Sequence, residues 1–487
     1  MRSASEYLDG LKDDRHVYVD GRRVDDVADH PAFAGVVRTV AELYDVASGE
    51  SRMHYDHPEH GRINAAYLQP RDADDLRRRR AAVTRWAEVS NGFVGRSPDH
   101  VGSFYAGFAS APEVFDRLRP GTGDNVRRHY AEMVREDLYV TYTIIPPQNA
   151  ANRPGATPDG AVSQVAVVDE RDDGIVVRGA QMLGTGTAVA DRLFVSCIKP
   201  LRPGEEDLAI SFAIPVATPG LKLFCRRPYA VGQPSAFDYP LSSRFDEPDS
   251  MAVFDDVLVP WEDVFVLRSI DGVRDQFHRT SAHVLGNTQA QTRLSVKLKF
   301  LLGVAVGVCE TNGLMALPPV QDKLGELASL VSIVEGMVLA GEASAEVDEF
   351  GLYRPGRRFL YGVMGLQSEI YPRVLHILRE LSGAGVIGTA SSYRDLVSEE
   401  TGEDMVRFLA ESSDDLEHRT KLFKLAWDAI GSEFAGRHHQ YEMFYAGAPF
   451  VARGYAQRNY GFDEPKALAQ RFLDTYALPR EAAGSVS

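Results

Sequence analysis

Three short segments carry residue types whose spacing suits chemistry as well as packing. In Arg96-Ser-Pro-Asp-His100 a proline-marked helix start brings a guanidinium and an imidazole within one turn of each other. Such a pair can hold an oxyanion and move a proton, because imidazole titrates near neutrality. The same residues would also suit a capped helix with a solvated histidine. In Thr141-Tyr142-Thr-Ile-Ile-Pro-Pro-Gln148-Asn149, hydroxyl and amide side chains follow an apolar strand. They would hydrogen-bond a planar heterocycle, or simply end the strand. In Gly179-Ala-Gln-Met-Leu-Gly-Thr185-Gly-Thr187, small residues flank a hydroxyl, as in a ligand loop or a plain β turn.

Other motifs carry less. Gly383-Ala-Gly385-Val-Ile-Gly388 matches G-x-G-x-x-G, but a helical run from Val363 to Leu381 stands where a dinucleotide fold needs a strand. A tight connection between helices is expected there, with Gly383 and Gly385 letting backbone approach backbone or a ligand's phosphate. His438-His439 and the pair His278 and His283 have no H-E-x-x-H, facial triad or cysteine partner, so no metal site is expected. No G-x-S-x-G elbow offers a hydrolase nucleophile. The chemistry is expected to come from a cofactor or from scattered side chains.

Periodicity gives the elements that must position these residues. From about Ala32 to Arg135 apolar residues recur at three and four, a helical pattern. Between Tyr139 and Val266 strand-like runs replace it: Val165 and Val167, a turn from Asp169 to Gly174, then Ile175 and Val177, followed by Leu193 to Cys197, Leu208 to Pro215 and Met251 to Val259. After Phe277 helices return, clearest in the stripe Leu324, Leu327, Leu330, Val331, Val334, Met337 and Val338. Blocks of helix, strand and helix predict an α+β fold with an N-terminal helical domain over 1–138, a middle β domain over 139–275 and a C-terminal helical domain over 276–487.

Charge and composition remove several classes of partner. The 487 residues hold 53 basic and 69 acidic side chains, a formal net charge of -16 that repels nucleic acid and anionic lipid. Neither nucleic acid nor a membrane is an expected partner. Cys197, Cys225 and Cys309 are far apart and odd in number, which points to a reducing cytoplasm without disulfides. The apolar stretch Phe300 to Cys309 has half of the ~20 residues a membrane span needs, so a core helix is expected.

Taken together, these segments resemble the 4-hydroxyphenylacetate 3-monooxygenase family, the oxygenase components of two-component phenol hydroxylases. The resemblance runs through Glu6-Tyr-Leu, Asp14 to Phe33, Arg96 to His100, Met182 to Thr185, Pro240 to Glu262 and Gly436 to Gly447. It implies an acyl-CoA-dehydrogenase-like fold, a homotetramer, and FAD arriving reduced, as FADH2, from a separate NAD(P)H:flavin reductase. The implied reaction hydroxylates a phenol ortho to its hydroxyl through a flavin C4a-hydroperoxide formed with dioxygen. By the same resemblance Arg96 holds the phenolate, His100 faces the phenol oxygen, and Tyr142 stands where several relatives carry histidine. Gln148, Asn149 and Thr185 would contact the flavin ring, Thr185 towards N5, with the loop Ser242 to Asp246 as a flap. Arg437 would help bind the cofactor, and Gly383 and Gly385 would meet its phosphate or adenine end. Relatives of this kind act on small phenolic acids, substituted phenols or carrier-protein-tethered tyrosines. The competing reading is a flavin-dependent acyl-CoA dehydrogenase-type oxidoreductase, which leaves Arg96 and His100 without a role. A radical dehydratase would need clustered cysteines, and an assembly protein that has lost its site would not need to keep Arg96, His100, Thr185 and Arg437.

Overall fold

The computed structural model describes residues 1–148, 163–230, 232 and 235–477. The first block holds α1 (Ala4–Gly10), β1 (His16–Val19), β2 (Arg22–Val24), α2 (Ala34–Gly49), β3 (His54–His57), β4 (Gly61–Asn64), α3 (Ala73–Val89), α4 (Pro98–Ala109), α5 (Pro112–Asp116) and α6 (Thr122–Glu136). The middle block supplies β5 (Val140–Thr143), β6 (Ala166–Arg171), β7 (Gly174–Gln181), β8 (Arg192–Val195), β9 (Ser211–Pro215), β10 (Leu221–Cys225), the single turn α7 (Ser242–Phe245), β11 (Ser250–Pro260), β12 (Val264–Val266) and α8 (Ile270–His278). The last block runs through α9 (Ala282–Thr311), α10 (Pro318–Ala343), β13 (Glu346–Val347), β14 (Tyr353–Arg354), α11 (Arg357–Ser382), α12 (Tyr393–Val397), α13 (Gly402–Leu409), α14 (Ser413–Ile430), α15 (Glu433–Phe444), α16 (Pro449–Tyr460) and α17 (Asp463–Leu473).

The middle block is two sheets, ordered β2-β1-β10-β11-β7-β6 and β12-β9-β8-β5. Period-two alternation decides what each face buries. On β8, Leu193 and Val195 enter the core between the sheets, while Phe194 enters the core shared with α4 and α6. The four-stranded sheet is therefore a middle layer, with the six-stranded sheet on one side and helices on the other. Tyr142 of β5 packs on the helical side. The third core, built by α9, α10, α11, α14 and α15, includes the buried stripe Leu327, Val331 and Val334. The hairpin of β6 and β7, the strands β8, β9 and β11, and the buried face of α9 formed by Leu301, Val304, Ala305, Val308 and Cys309 follow the sequence pattern.

The first 138 residues differ from an all-helical domain. β1 and β2 join the middle sheet, with β1 pairing in parallel with β10, His16 opposite Lys222. A second hairpin, β3 with β4, lies between α2 and α3. The physical reason is range: four-residue strands bury little by themselves, and β1 is completed by a partner about two hundred residues away. The strand β10 itself escaped notice because Lys222 and Phe224 alternate with Leu221 and Leu223 in a run too short to stand out.

Helix α4 presses closely on α9. A Cβ on Gly107 would lie 2.3 Å from the Ala282 backbone nitrogen and 2.4 Å from its Cα, and one on Gly286 would lie 2.7 Å from the Phe104 ring. This approach sets the first turn of α4 against the body of α9. Gly107→Ala is expected to cost about 1–3 kcal/mol, since neither backbone can yield easily. Gly303→Ala, with nothing within 4 Å of the added methyl, should be neutral or stabilising by up to about 1 kcal/mol. Urea unfolding midpoints of the two variants check the contrast.

Candidate active site

Helix α4 starts at Ser97, with Pro98 in its first turn, where a missing N–H costs nothing. Just before it, Arg96 has both backbone groups fixed by side chains. Its N–H donates to Glu247 Oε1 at 2.7 Å, and its carbonyl accepts from the Tyr139 hydroxyl at 2.6 Å. The guanidinium Nη1 donates to His100 Nε2 at 2.6 Å. The rest of the guanidinium is walled by aromatic faces, its Cζ lying 4.5 Å from the Tyr445 ring centre, 5.0 Å from Tyr142 and 5.3 Å from Tyr441. Among the described residues it meets no carboxylate. Burial works against its charge, but Tyr142, Tyr441 and Tyr445 around it outweigh this and its pKa is raised. Arg96 and all three tyrosines are half-buried.

His100 is buried, and burial, reinforced by the charge on Arg96, pushes its pKa well below the usual imidazole value. A neutral base thus sits beside a fixed cation. Its ring lies 5.4 Å from Tyr142 and edge-on to Phe104 at 5.2 Å. The structure therefore brings Arg96, His100 and Tyr142 together. The Tyr441 hydroxyl is buried without a hydrogen-bond partner among the described residues, a polar atom for a ligand to meet. It approaches so closely that a Cβ on Gly95 would lie 2.3 Å from its oxygen, which is why glycine stands there.

The Met182 to Thr185 turn carries Leu183 at φ +60°, an uncommon conformation for a bulky residue, with the side chain 53% exposed. Thr185 Oγ1 donates to Asp249 Oδ1 at 2.6 Å. Burial alone would raise the Asp249 pKa, but Arg437, Arg226 and this hydroxyl hold it well below the usual range. With its hydrogen committed to a carboxylate, the Thr185 oxygen can only accept. That fits a ring N–H, which a reduced flavin carries at N5 and an oxidised one lacks.

Arg437, Tyr441 and Tyr445 recur at intervals of four along and just past α15, one face turned to α4 and β11. Arg437, expected as a cofactor contact, has its guanidinium committed to protein: Nε and Nη2 donate to Asp249 at 3.0 and 2.8 Å, and Nη1 donates to Glu247 Oε2 at 3.2 Å. Glu247 thereby joins Arg437 to the Arg96 backbone. The expected flap, Ser242 to Asp246, is a short helix whose start is fixed by Asp428, accepting from the Leu241 and Ser242 amides at 2.8 Å each. The Gly383 turn connects α11 to α12 as a 3-10 turn, and a Cβ on Gly385 would lie 2.4 Å from Phe423, so close helix packing already requires that glycine. Gly383 has φ +52°. Gln148 is exposed at the edge of the described chain, and Asn149 lies outside the described residues. Sequence reasoning missed Glu247 and Asp249, and gave Tyr441 and Tyr445 no role although their spacing from Arg437 was visible.

Behind this face, Glu442 is buried and accepts from Arg293 at 2.7 and 2.9 Å, Lys297 at 3.0 Å and Gln367 at 2.8 Å. Burial would raise its pKa, but the two cations lower it to about 2, while burial lowers Lys297 to about 8.

The three-layer fold, with a neutral histidine beside a cation that meets no carboxylate among the described residues, is that of a flavin-dependent monooxygenase of acyl-CoA-dehydrogenase-like architecture. The chain belongs to the 4-hydroxyphenylacetate 3-hydroxylase family: the model for the family's N-terminal part matches residues 3–266 and that for its C-terminal part residues 273–474. It is 33% identical to the 4-hydroxyphenylacetate 3-monooxygenase oxygenase component of Geobacillus sp. (strain PA-9), over 97% of this chain and 96% of that one. A crystal structure of such an oxygenase component, complexed with FAD and 4-hydroxyphenylacetate, superposes with a TM-score of 0.91 at 33% identity, covering 98% of this chain and 99% of that one. A 4-hydroxybutyryl-CoA dehydratase from N. maritimus, at 19% identity and a TM-score of 0.87 over 99% of this chain and 97% of that one, shares the fold alone.

Glu442→Ala leaves Arg293 and Lys297 buried without their carboxylate and is expected to cost about 3–5 kcal/mol in denaturant unfolding. Because the folded pKa is lowered to about 2, the Glu442 contribution is complete above its unfolded value and is lost as pH falls towards about 2. The acid-unfolding curve of the wild type should therefore carry a component between those limits that is missing in the variant.

Proposed function

We propose that this chain is the oxygenase component of a two-component system that hydroxylates a phenol ortho to its hydroxyl, using reduced FAD and dioxygen. The carrying observation is Arg96, a cation with no carboxylate partner among the described residues, hydrogen-bonded to neutral His100 within a wall of three tyrosines. A phenol oxygen placed there accepts from the Arg96 guanidinium. As Arg96 Nη1 turns its N–H from His100 Nε2 to the phenol oxygen, the freed Nε2 lone pair takes the phenol proton, and the resulting phenolate raises the electron density of the ring carbon to be oxygenated. Tyr142, with a hydroxyl in place of an imidazole, donates to the phenol oxygen. Phe104, Tyr441 and Tyr445 keep water from the reacting carbon. Bound FAD, once reduced, supplies from dioxygen the electrophilic oxygen atom that the ring accepts.

The cofactor ring is assigned to the Met182–Thr185 turn with Thr185 accepting from N5–H, Gln148 and Asn149 beside it, and the Gly383 to Gly388 turn towards the phosphate or adenine end. Arg437 acts by holding Asp249 ionised, one step from the ring. A homotetramer completes the cofactor site, a separate NAD(P)H:flavin reductase delivers the reduced flavin, and three unpaired cysteines suit a cytoplasmic setting. The substrate class is a hydroxyphenyl acid such as 4-hydroxyphenylacetate, which the relatives act on, or a tyrosine-like phenol carried on a protein.

The deciding experiment supplies reduced FAD and oxygen to the purified protein with a panel of free phenols, amino acids and carrier-tethered tyrosines. A product one oxygen atom heavier supports the reading, and oxygen uptake without any hydroxylated product sinks it. Arg96→Ala should lower hydroxylation by about 100-fold or more while leaving FAD affinity nearly unchanged. Parallel loss of both would move Arg96 to the cofactor. Since burial and the charge on Arg96 hold His100 neutral well below the ordinary imidazole pKa, the free enzyme's kcat/KM should show no acid limb at the ordinary imidazole pKa.

A further inference from the structure

The base in this site has two ring nitrogens, and only one arrangement of its proton serves the reaction. A guanidinium can only donate, so at 2.6 Å from Arg96 Nη1 the His100 Nε2 must accept. The proton of the neutral ring then sits on Nδ1. That nitrogen lies 3.1 Å from Gln289 Oε1 and 3.3 Å from the Tyr445 hydroxyl. Either end of an amide could face a ring nitrogen, but the other end of Gln289 decides. Its Nε2 lies 3.1 Å from Asp99 Oδ1 and 3.4 Å from Ser97 Oγ, and Ser97 donates to the same carboxylate oxygen at 2.5 Å. A carboxylate accepts, so the amide NH2 points to Asp99 and the carbonyl to His100. Ser97, Asp99, His100 and Gln289 are all buried, so water does not compete for these bonds.

We infer that Gln289 of α9 is a positioning residue that locks His100 as the Nδ1–H tautomer, so that the Nε2 lone pair is the atom that takes the phenol proton. The inference rests on the reading of His100 as the base. In the transfer Arg96 Nη1 moves its N–H from Nε2 to the phenol oxygen, the phenol O–H bond breaks and an H–Nε2 bond forms at the freed lone pair. The electron pair stays on the phenol oxygen against Arg96, and the imidazolium keeps its second N–H on the Gln289 carbonyl. The groups facing His100 are Arg96 from the turn before α4, Tyr142 from β5, Gln289 and the more distant Arg293 from α9, and Tyr445 from the end of α15. Of these, Gln289 offers a carbonyl oxygen already oriented from behind by Asp99.

The test uses 4-nitrophenol, whose phenolate absorbs in the visible, bound to the full-length protein without flavin and titrated with acid and base. In the wild type the bound phenol should ionise at a lower pH than in solution. Gln289→Leu and the shape-matched Gln289→Met should each raise that midpoint by about one unit or more, in the same direction as His100→Ala. Lower affinity with an unmoved midpoint in the Gln289 variants, while His100→Ala moves it, would mean a packing role only and overturns the inference with the base assignment intact. If His100→Ala also leaves the midpoint unmoved, His100 is not the base and both readings fall. Failure of the wild type to bind or ionise the phenol refutes the phenol site on which they rest. Circular dichroism and unfolding midpoints select whichever Gln289 variant folds like the parent.

Discussion

Glu442 is a carboxylate with no access to water, and the position of α15 depends on it. Arg293 and Lys297 reach it from α9 and Gln367 from α11, so three helices meet at two oxygen atoms. An ion buried this way contributes little net stability compared with apolar packing, but it tolerates few alternative geometries. What it fixes is the rotation of α15, and with it the face that carries Arg437, Tyr441 and Tyr445. The wall around Arg96 is built from behind by a charge the substrate never meets.

The same helix ties the C-terminal bundle to the β block through Arg437, which meets Asp249 and Glu247, and Glu247 in turn holds the Arg96 amide. In this linked cluster the cations Arg96, Arg226, Arg293, Lys297 and Arg437 face the carboxylates Asp246, Glu247, Asp249 and Glu442. Arg96 is the member of this set that meets no carboxylate among the described residues; it is half-buried and walled by ring faces that attract a cation but cannot neutralise it. In the proposed mechanism a phenolate oxygen would be its negative partner. In surroundings of low polarity that match is worth more than in water, which gives the free protein a standing preference for an anionic oxygen at this point.

Much of this was legible because it is local. Arg96 and His100 are four apart on a helix whose start Ser97 and Pro98 announce, and Thr185 stands in a glycine-flanked turn. The three-block order follows from periodicity, since a middle sheet needs strands and its flanking layers need helices. What was not legible depends on range. Gln289 lies 189 residues beyond His100 in an apolar helix where glutamine looks like any solvated position, and only the packing of α4 on α9 reveals it. β1 and β2 read as part of a helical domain because their partner β10 comes so much later. Gly385 looked like a ligand contact, whereas the nearest reason for it is the Phe423 ring. Arg437 was expected at the cofactor, and its partners Asp249 and Glu247 went unseen because they come from another block.

The pairing of a fixed cation with a neutral histidine resolves a conflict that a single residue could not. Arginine stabilises phenolate but cannot accept its proton, and a lysine able to do both would have to give up its charge to act as a base. In the proposed mechanism, His100 held neutral by burial leaves Arg96 as the cation beside the substrate oxygen. In the proposed mechanism, moving the proton from the phenol to Nε2 leaves the total charge of the site unchanged and creates a phenolate–imidazolium pair. The phenolate then lies between two positive groups, and the imidazolium is matched on its far side by an amide carbonyl. In that mechanism the proton remains next to the phenol oxygen it left, within reach when that same oxygen is reprotonated in the product.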